Sequence, residues 1–204
     1  CEASDLLMKA GIHPRVRHAS SSAAATLLPE ARFNLIRLGI SLYGLWSSEE
    51  VERQTIENIV RRNKKTGRDP ILKPVLTWKT VIAQCKKVKQ GEPISYGLTE
   101  RVKRDSVIAV LPIGYFDGFP RALSSVGEVL IRGKRCRVLG RICMNMCMVD
   151  VTGIKGLKEG KTEVVVIGSS GKQTISPEMH AEHIASSLNY EFISRLNPLL
   201  PRFV

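Results

Sequence analysis

Hydrophobic and polar positions follow two different patterns along the chain, and the change falls near residue 74. Before it, Glu2 to Ala10 has the spacing of a short helix that ends at Gly11. The stretch RVRHASSSAAATLL then predicts a strand running into a helix, and FNLIRLGISLYGL predicts a second strand. Strand, helix and strand in this order are typical of a parallel α/β sheet or barrel.

From Pro74 onward, β-branched runs are separated by glycine-containing turns, which predicts a mainly-β domain. The predicted strands lie in VLTWKTVIAQCKKV, SVIAVLPIGY, GEVLIRGKRCRVLGRICMNMCMVDVT and TEVVVIGSS. Turns are predicted at Arg132–Lys134 and Ser170–Lys172, and a helix from about Ser176 to Ser187. The chain as a whole is therefore expected to be of the α+β class.

Length and composition limit the classes of protein that these patterns can describe. With 204 residues, of which 43% are hydrophobic, the chain can bury the core of one large or two small domains. No apolar run reaches the ~18 residues of a membrane span, and the start lacks a signal-peptide pattern. We therefore expect a soluble, cytoplasmic protein with no membrane partner.

The spacing of the cysteines and histidines does not predict a metal site. The five cysteines are an odd, unclustered set, which predicts reduced thiols rather than disulfides. Cys143 and Cys147 have C-x3-C spacing, but no further pair or nearby histidine completes a zinc site. His180 and His183 lie three apart on the predicted late helix without a third ligand, and we expect both rings to face solvent.

The formal net charge of +12 raises the possibility of a nucleic-acid partner. Much of the excess lies in Val51 to Lys73, which is either a phosphate-binding arm or a solvated linker. The linker is favoured because no aromatic residues are interleaved for base stacking. A free-standing basic β-module that binds nucleic acid stays open as an alternative function.

Candidate chemistry begins with two polar features of the first, strand-and-helix part. Arg37 lies within the apolar run LIRLGI, where a buried guanidinium would need an anion or an acceptor, and Gly39 leaves open space beside it. His18 ends the preceding predicted strand, and Ser20 to Ser22 enter a helix, whose N-terminus favours phosphate. Each feature alone also fits a structural ion pair or a helix cap. Together they indicate a phosphorylated, ring-bearing cofactor.

Tyr115, in LPIGYFDGFPR, is the third feature, because glycines flank it at the end of a predicted strand. A tyrosine side chain titrates near ~10 in water, so it acts as a base at neutral pH only where its surroundings favour the ionised form. Packing is the other interpretation of this residue.

Five motifs in order, HASSSAA, IRLGISLYG, PISYGLT, LPIGYFDGFPR and GRICMNMCMVDVT, resemble the C-terminal half of the alanine racemase family, whose members use pyridoxal 5′-phosphate (PLP). The resemblance implies that residues 1–46 are terminal strands and helices of a PLP-binding (β/α)8 barrel. Residues 47–73 would be a basic linker and residues 74–204 the C-terminal β-domain. It also implies a homodimer with shared active sites that racemises L-alanine to D-alanine and so supplies D-alanine for cell-wall peptidoglycan. Serine or another small amino acid stays open as the substrate.

The resemblance also implies roles for individual residues. Ser22, Gly39 and Ile40 would face the cofactor phosphate, while Arg37 would bond the pyridine nitrogen, with His18 supporting it. An always-charged donor would keep that nitrogen unprotonated and limit side reactions. Tyr115 would be the base on the L-amino-acid face, acting at the partner subunit's cofactor. The substrate side would be formed by Met144, Arg141 and Tyr96.

Some family features are replaced or missing in this sequence. Ser21 stands where the family usually has asparagine, Asn145 where it has aspartate, and Pro198 where it often has a phosphate-binding tyrosine. No motif matches the family's PLP-binding lysine. We therefore expect the chain to be a fragment that is inactive by itself.

Overall fold

The computed structural model describes residues 2–63, 71–184 and 187–204, and the chain divides into two units, Cys1–Val75 and Leu76–Val204. The described part of the first unit contains three α-helices. These are α1 (Glu2–Lys9), α2 (Ser22–Leu27) and α3 (Glu49–Asn63), with 3-10 turns at Pro29–Ala31 and Ile40–Tyr43. The two helices predicted before residue 30 are thus confirmed.

The two strands predicted in the first unit are not formed among its described residues, so that prediction is wrong. The segments lie side by side, but they share one main-chain hydrogen bond, from Arg37 N to Ser20 O at 3.0 Å. The Asn34 side chain adds two further links, to Arg15 O and from Arg17 N. A ladder needs successive main-chain pairs in register, and an apolar pattern alone does not supply them.

Helix α3 occupies most of the segment predicted to be a basic linker. Its first turn carries Glu49, Glu50 and Glu52, which suit the positive end of the helix dipole. Arg53 bridges Glu50 and Glu57 at 2.6 and 2.7 Å on the exposed face. The charges of this helix are thus partly paired with one another. The basic stretch at 64–70 lies outside the described residues.

The second unit is built from ten short strands and two helices among its described residues. The strands are β1 (Trp78–Val81), β2 (Gln84–Val88), β3 (Pro93–Ile94), β4 (Glu100–Arg101), β5 (Ser106–Leu111), β6 (Glu128–Ile131), β7 (Lys134–Arg137), β8 (Cys147–Asp150), β9 (Glu163–Ser170) and β10 (Gln173–Ile175). The helices are α4 (Pro177–Glu182) and α5 (Asn189–Ser194), with 3-10 turns at Tyr96–Leu98 and Arg121–Leu123. All four strand-bearing stretches and both glycine turns of the prediction are confirmed.

The strands form three antiparallel sheets. One has the order β1-β9-β6-β7, with β10 also paired to β9, and the second has the order β2-β5-β8. The third sheet is the short pair β3-β4. Strand β9 is central, since Val165 pairs both with Lys79 of β1 and with Leu130 of β6.

The core of this unit is formed by consecutive buried residues on β6 and β9. Val129, Leu130 and Ile131 are buried in succession, as are Val164 to Ile167. Successive strand residues point to opposite faces, so both faces of the sheet are covered at these two strands.

The late helix differs from its prediction, because α4 ends at Glu182 and α5 begins at Asn189. The expectation that both nearby histidines face solvent is wrong for His180 and right for His183. The His180 ring stacks on Phe192 at 4.9 Å, meets Phe119 edge-on, and its Nε2 contacts Val166 O at 2.9 Å. Burial lowers the pKa of His180 to about 4. A neutral imidazole fills an aromatic core position here.

Among the helices in the described part of the chain, none combines the length and apolar character that crossing a membrane requires.

Candidate functional site

The first candidate group of residues surrounds the hydroxyl of Ser22, the first residue of α2. Its Oγ accepts hydrogen bonds from Gly39 N at 3.1 Å and from Ser41 N at 3.4 Å. Ser22 is buried, and so is the side chain of Ile40, which begins the following 3-10 turn. The hydroxyl therefore joins the start of α2 to the turn that begins at Ile40.

The surroundings of this hydroxyl suit an anionic group. A hydroxyl that accepts two amide hydrogen bonds still has its own proton to donate, and within the described residues the Ser22 proton has no acceptor. A Cβ built on Gly39 would meet no atom within 4 Å, so there is open space beside its Cα. Ser21, the residue before α2, makes no side-chain capping bond. These features fit a phosphate group.

Arg37 and His18 lie on the two segments that the Arg37 N to Ser20 O bond connects. Both side chains are exposed, so Arg37 does not lie in the covered strand that its apolar neighbours predict. The guanidinium reaches Ala19 O at 3.5 Å, the outer limit of a hydrogen bond. It is thus held weakly by the protein and has donors to spare for a ring nitrogen or an anion.

The second candidate group lies in the other unit, on the loop that follows β5 and contains Tyr115. Main-chain hydrogen bonds run from Tyr115 N to Cys143 O and from Phe116 N to Met144 O, each 3.0 Å long. A Cβ on Gly114 would lie 2.2 Å from Cys143 O, so only glycine permits this close approach. The loop is thus fixed against the turn that carries Met144, while the Tyr115 side chain remains 44% exposed.

The same loop is closed on itself and anchored in the core. Asp117 Oδ2 accepts from Gly114 N at 2.8 Å, and Phe119 N donates to Gly114 O at 3.0 Å. Phe119 is fully buried against Trp78 and His180, with ring centroids 6.2 and 5.8 Å away. A buried aromatic anchor thus holds one end of a loop whose tip presents a tyrosine.

The segment that carries Tyr96 lies against the segment that carries Arg141. Ser95 Oγ donates to Arg141 O at 2.6 Å, and a Cβ on Gly97 would lie 3.5 Å from Arg141 Nη1. The Tyr96 side chain is 71% exposed between these two contacts. Since Arg141 is three residues from Met144, one continuous stretch connects the Tyr96 and Tyr115 segments.

Glu100 supports this stretch and was not singled out by the sequence. Its carboxylate accepts from Gly140 N, Ser125 Oγ and Arg137 Nη2, at 2.5 to 2.6 Å. Burial alone would raise the pKa of Glu100, but hydrogen bonds from Ser125, Gly140 and Arg137 together lower it. An ionised carboxylate therefore fixes the backbone immediately before Arg141. An acid on a two-residue strand carries no sequence signal for such a role.

Asn197 is the second supporting residue that the sequence did not indicate. Its backbone N and side-chain Nδ2 donate to Asp117 O and Phe116 O, at 3.2 and 3.0 Å. The contact joins residues 81 apart in the sequence, so no local pattern predicts it.

The cysteine pair of the Met144 turn does not have the features of a metal site. Burial raises the pKa of Cys147 to about 12, so its thiol is neutral in the apolar core. Within the residues that the structure describes, no three metal-ligating side chains come together.

Comparisons with known proteins find the same family along nearly the whole chain. Residues 75–204 match the family model for the alanine racemase C-terminal domain, and residues 1–47 match the model for the N-terminal domain. Alanine racemase of Halothermothrix orenii is 43% identical over 198 residues, which are 97% of this chain and 48% of that protein. Alanine racemase of Leptospira interrogans serovar copenhageni is 37% identical over 203 residues, 100% of this chain and 50% of that protein.

Solved structures agree with the sequence relatives. Alanine racemase from Streptomyces coelicolor matches with a TM-score of 0.81 and 32% identity, over 98% of this chain and 48% of that one. Alanine racemase from Bacillus anthracis with bound L-Ala-P matches with a TM-score of 0.78 and 34% identity, over 96% and 46%. The chain thus spans about half the length of the relatives that it matches. Since the C-terminal domain model alone covers more than half of its residues, the chain belongs to the alanine racemase family, whose C-terminal half it represents.

Proposed function

We propose that the chain acts as the C-terminal half of a PLP-dependent alanine racemase, in which Tyr115 is one of two bases. The observation that carries this proposal is the presentation of Tyr115, whose exposed ring projects from a loop bonded to the Met144 turn and anchored by Phe119. The chain's relatives are named alanine racemases, and the structure of one of them holds L-Ala-P, which supports alanine as the substrate.

The first unit would hold the cofactor. Ser22 and the amide of Ile40 would hold the phosphate, and the amide of Gly39 would join them by exchanging its bond to Ser22 Oγ for one to the phosphate. Arg37 would donate to the ring nitrogen with His18 beside it. When bound, PLP withdraws electrons from the amino acid and so makes its α-proton acidic. The Arg37 guanidinium always carries its protons, so the ring nitrogen would stay unprotonated and electron withdrawal would be moderate. Moderate withdrawal favours reprotonation over side reactions.

Racemisation requires only that one proton be removed from one face of the α-carbon and returned to the opposite face. Tyr115 Oη would take the α-proton of L-alanine or return a proton to that face. A second base is needed on the D face. In the family pattern this base is the PLP-binding lysine, and no motif of this chain matches it. Substrate and product are isomers, so no co-reactant is consumed.

The remaining predicted residues would orient the substrate. Met144 would lie beside the alanine carboxylate, while Arg141 and Tyr96 would line the entry path. We further propose that two copies assemble so that Tyr115 of one serves the cofactor of the other. In this proposal residues 1–46 complete a PLP-binding barrel, 47–73 form the linker and 74–204 form the β-domain.

The alternative of a basic β-module for nucleic acid is not favoured, because both family models and the solved structures are alanine racemases over nearly the whole chain. A preference for serine or another small amino acid would change the favoured substrate but not the reaction.

The test compares the longer protein, in which this chain follows the segment that precedes it in its relatives, with the 204-residue chain alone. We expect the longer protein to interconvert L- and D-alanine only when PLP is supplied. We expect the chain alone to show no turnover even in excess PLP, because it lacks the lysine motif. Turnover is measured by chiral chromatography, with L-serine as a second substrate. PLP-independent racemisation, or turnover by the chain alone, contradicts the proposal.

A further inference from the structure

Asn197, just after α5, contacts the main chain immediately beyond Tyr115. Its side-chain Nδ2 donates to Phe116 O at 3.0 Å, and its backbone N donates to Asp117 O at 3.2 Å. Two successive carbonyls of the Tyr115 loop are therefore held by one residue from a distant part of the chain.

The orientation of the Asn197 amide is fixed by its own surroundings. Its Oδ1 accepts from Leu199 N at 2.9 Å, and its carbonyl accepts from Leu200 N at 3.1 Å. Because Oδ1 already accepts a hydrogen bond, the amide nitrogen is the atom that faces Phe116 O. Pro198 follows directly and restricts the backbone of the turn. Asn197 is thus a preorganised donor.

The Tyr115 loop contacts two other segments of the chain. At the first, the amides of Tyr115 and Phe116 donate to the Met144 turn. At the second, a Cβ added to Gly118 would lie 2.6 Å from Arg195 O, which shows how closely the segment before Asn197 packs. Hydrogen bonds to both segments limit the movement of the backbone that carries Tyr115.

We infer that Asn197 is a positioning residue for Tyr115: its amide fixes the backbone from which the catalytic phenol projects, without itself contacting the substrate. The inference rests on the proposed function of Tyr115. A misplacement of about 1 Å at a reacting group can cost up to about a hundredfold in rate. Loss of one of several such hydrogen bonds is expected to cost about tenfold.

The test places Asn197→Asp in the longer, PLP-loaded protein, with either Tyr115 or Tyr115→Phe as the background. The carboxylate keeps the acceptor for Leu199 N and removes the donor to Phe116 O. With Tyr115 present, kcat should fall about tenfold while KM for alanine changes less than about twofold. In the Tyr115→Phe background the residual rate should not change, because Asn197 acts through the phenol that is already missing.

Asn58→Asp is the matched control, since it makes the same change from amide to carboxylate at an exposed position on α3. Its kcat per folded protein should stay normal. Asn197→Ser is measured in the same backgrounds, because a serine side chain is too short to reach Phe116 O. It replaces Asn197→Asp as the test if that variant does not fold. Equal losses in both backgrounds, or a normal kcat beside Tyr115, overturn the inference. A normal rate for Tyr115→Phe alone would instead remove the proposed role of Tyr115.

Discussion

At the scale of single residues, neighbouring serines with similar burial have different roles. Ser20 and Ser22 are both buried, but the Ser20 hydroxyl donates to Ala31 O, whereas the Ser22 hydroxyl accepts from Gly39 N and Ser41 N. Ser20 therefore satisfies a carbonyl of the protein. Ser22 keeps a proton available for a ligand.

This difference gives a prediction for cofactor affinity in the longer protein. Ser22→Ala should raise the Kd for PLP about tenfold or more, because a hydrogen bond to a charged group contributes about 1.5 to 3 kcal/mol. Ser20→Ala is the control, and it should lower the thermal midpoint while leaving the Kd for PLP unchanged. Fluorescence titration with PLP measures both. Equal changes in Kd for the two variants would mean that Ser22 does not hold the phosphate.

At the scale of elements, the buried aromatic cluster links the late helices to the Tyr115 loop. His180 of α4 stacks on Phe192 of α5. His180 also meets Phe119 edge-on, and Phe192 meets Trp78 edge-on. The cluster therefore couples the packing of α4 and α5 to the end of the loop.

The cluster also predicts a pH dependence of stability. Burial lowers the pKa of His180 from 6.5 to about 4, so between these values the unfolded chain binds a proton that the folded chain excludes. This contribution to stability is fully present above pH 6.5 and is lost as the pH falls toward 4. The loss is on the order of 3 kcal/mol.

Urea unfolding of the longer protein between pH 4 and 7 measures this contribution. His180→Gln should flatten the dependence on pH, and His183→Gln, which alters an exposed ring, should leave it as in the unsubstituted protein. An unchanged slope in His180→Gln would show that other groups are responsible.

The elements also show what the sequence predicts and what it does not. The strands of the second unit follow from β-branched runs because each finds an antiparallel partner within the unit. The segments around His18 and Arg37 have the same apolar character but share only one main-chain hydrogen bond, so composition alone misjudges them. Asn197 and Glu100 escape prediction because their contacts join residues far apart in the sequence. Gly114, by contrast, is next to Tyr115 in the motif LPIGYFDGFPR, so the sequence alone already draws attention to this loop.

At the scale of the whole molecule, the chain supplies only part of what the proposed reaction needs. It spans about half the length of its relatives. In the first unit several apolar side chains are exposed, such as Leu6 at 66% and Leu42 at 63%. Where such side chains form a contiguous patch, the patch marks a surface that contacts other protein. Measurements of catalysis therefore belong to the longer protein.

The most direct test of the central claim is α-proton exchange in deuterated water by the longer protein carrying Tyr115→Phe. The substitution removes one hydroxyl from an exposed ring, so folding and PLP binding should persist, and Tyr190→Phe is the matched control. Racemisation should fall by roughly two or more orders of magnitude, as for loss of a positioned base. Exchange should be lost mainly from L-alanine and persist from D-alanine, whose base is a different residue. Equal loss from both enantiomers, or near-normal turnover, would contradict the claim that Tyr115 is the base on the L face.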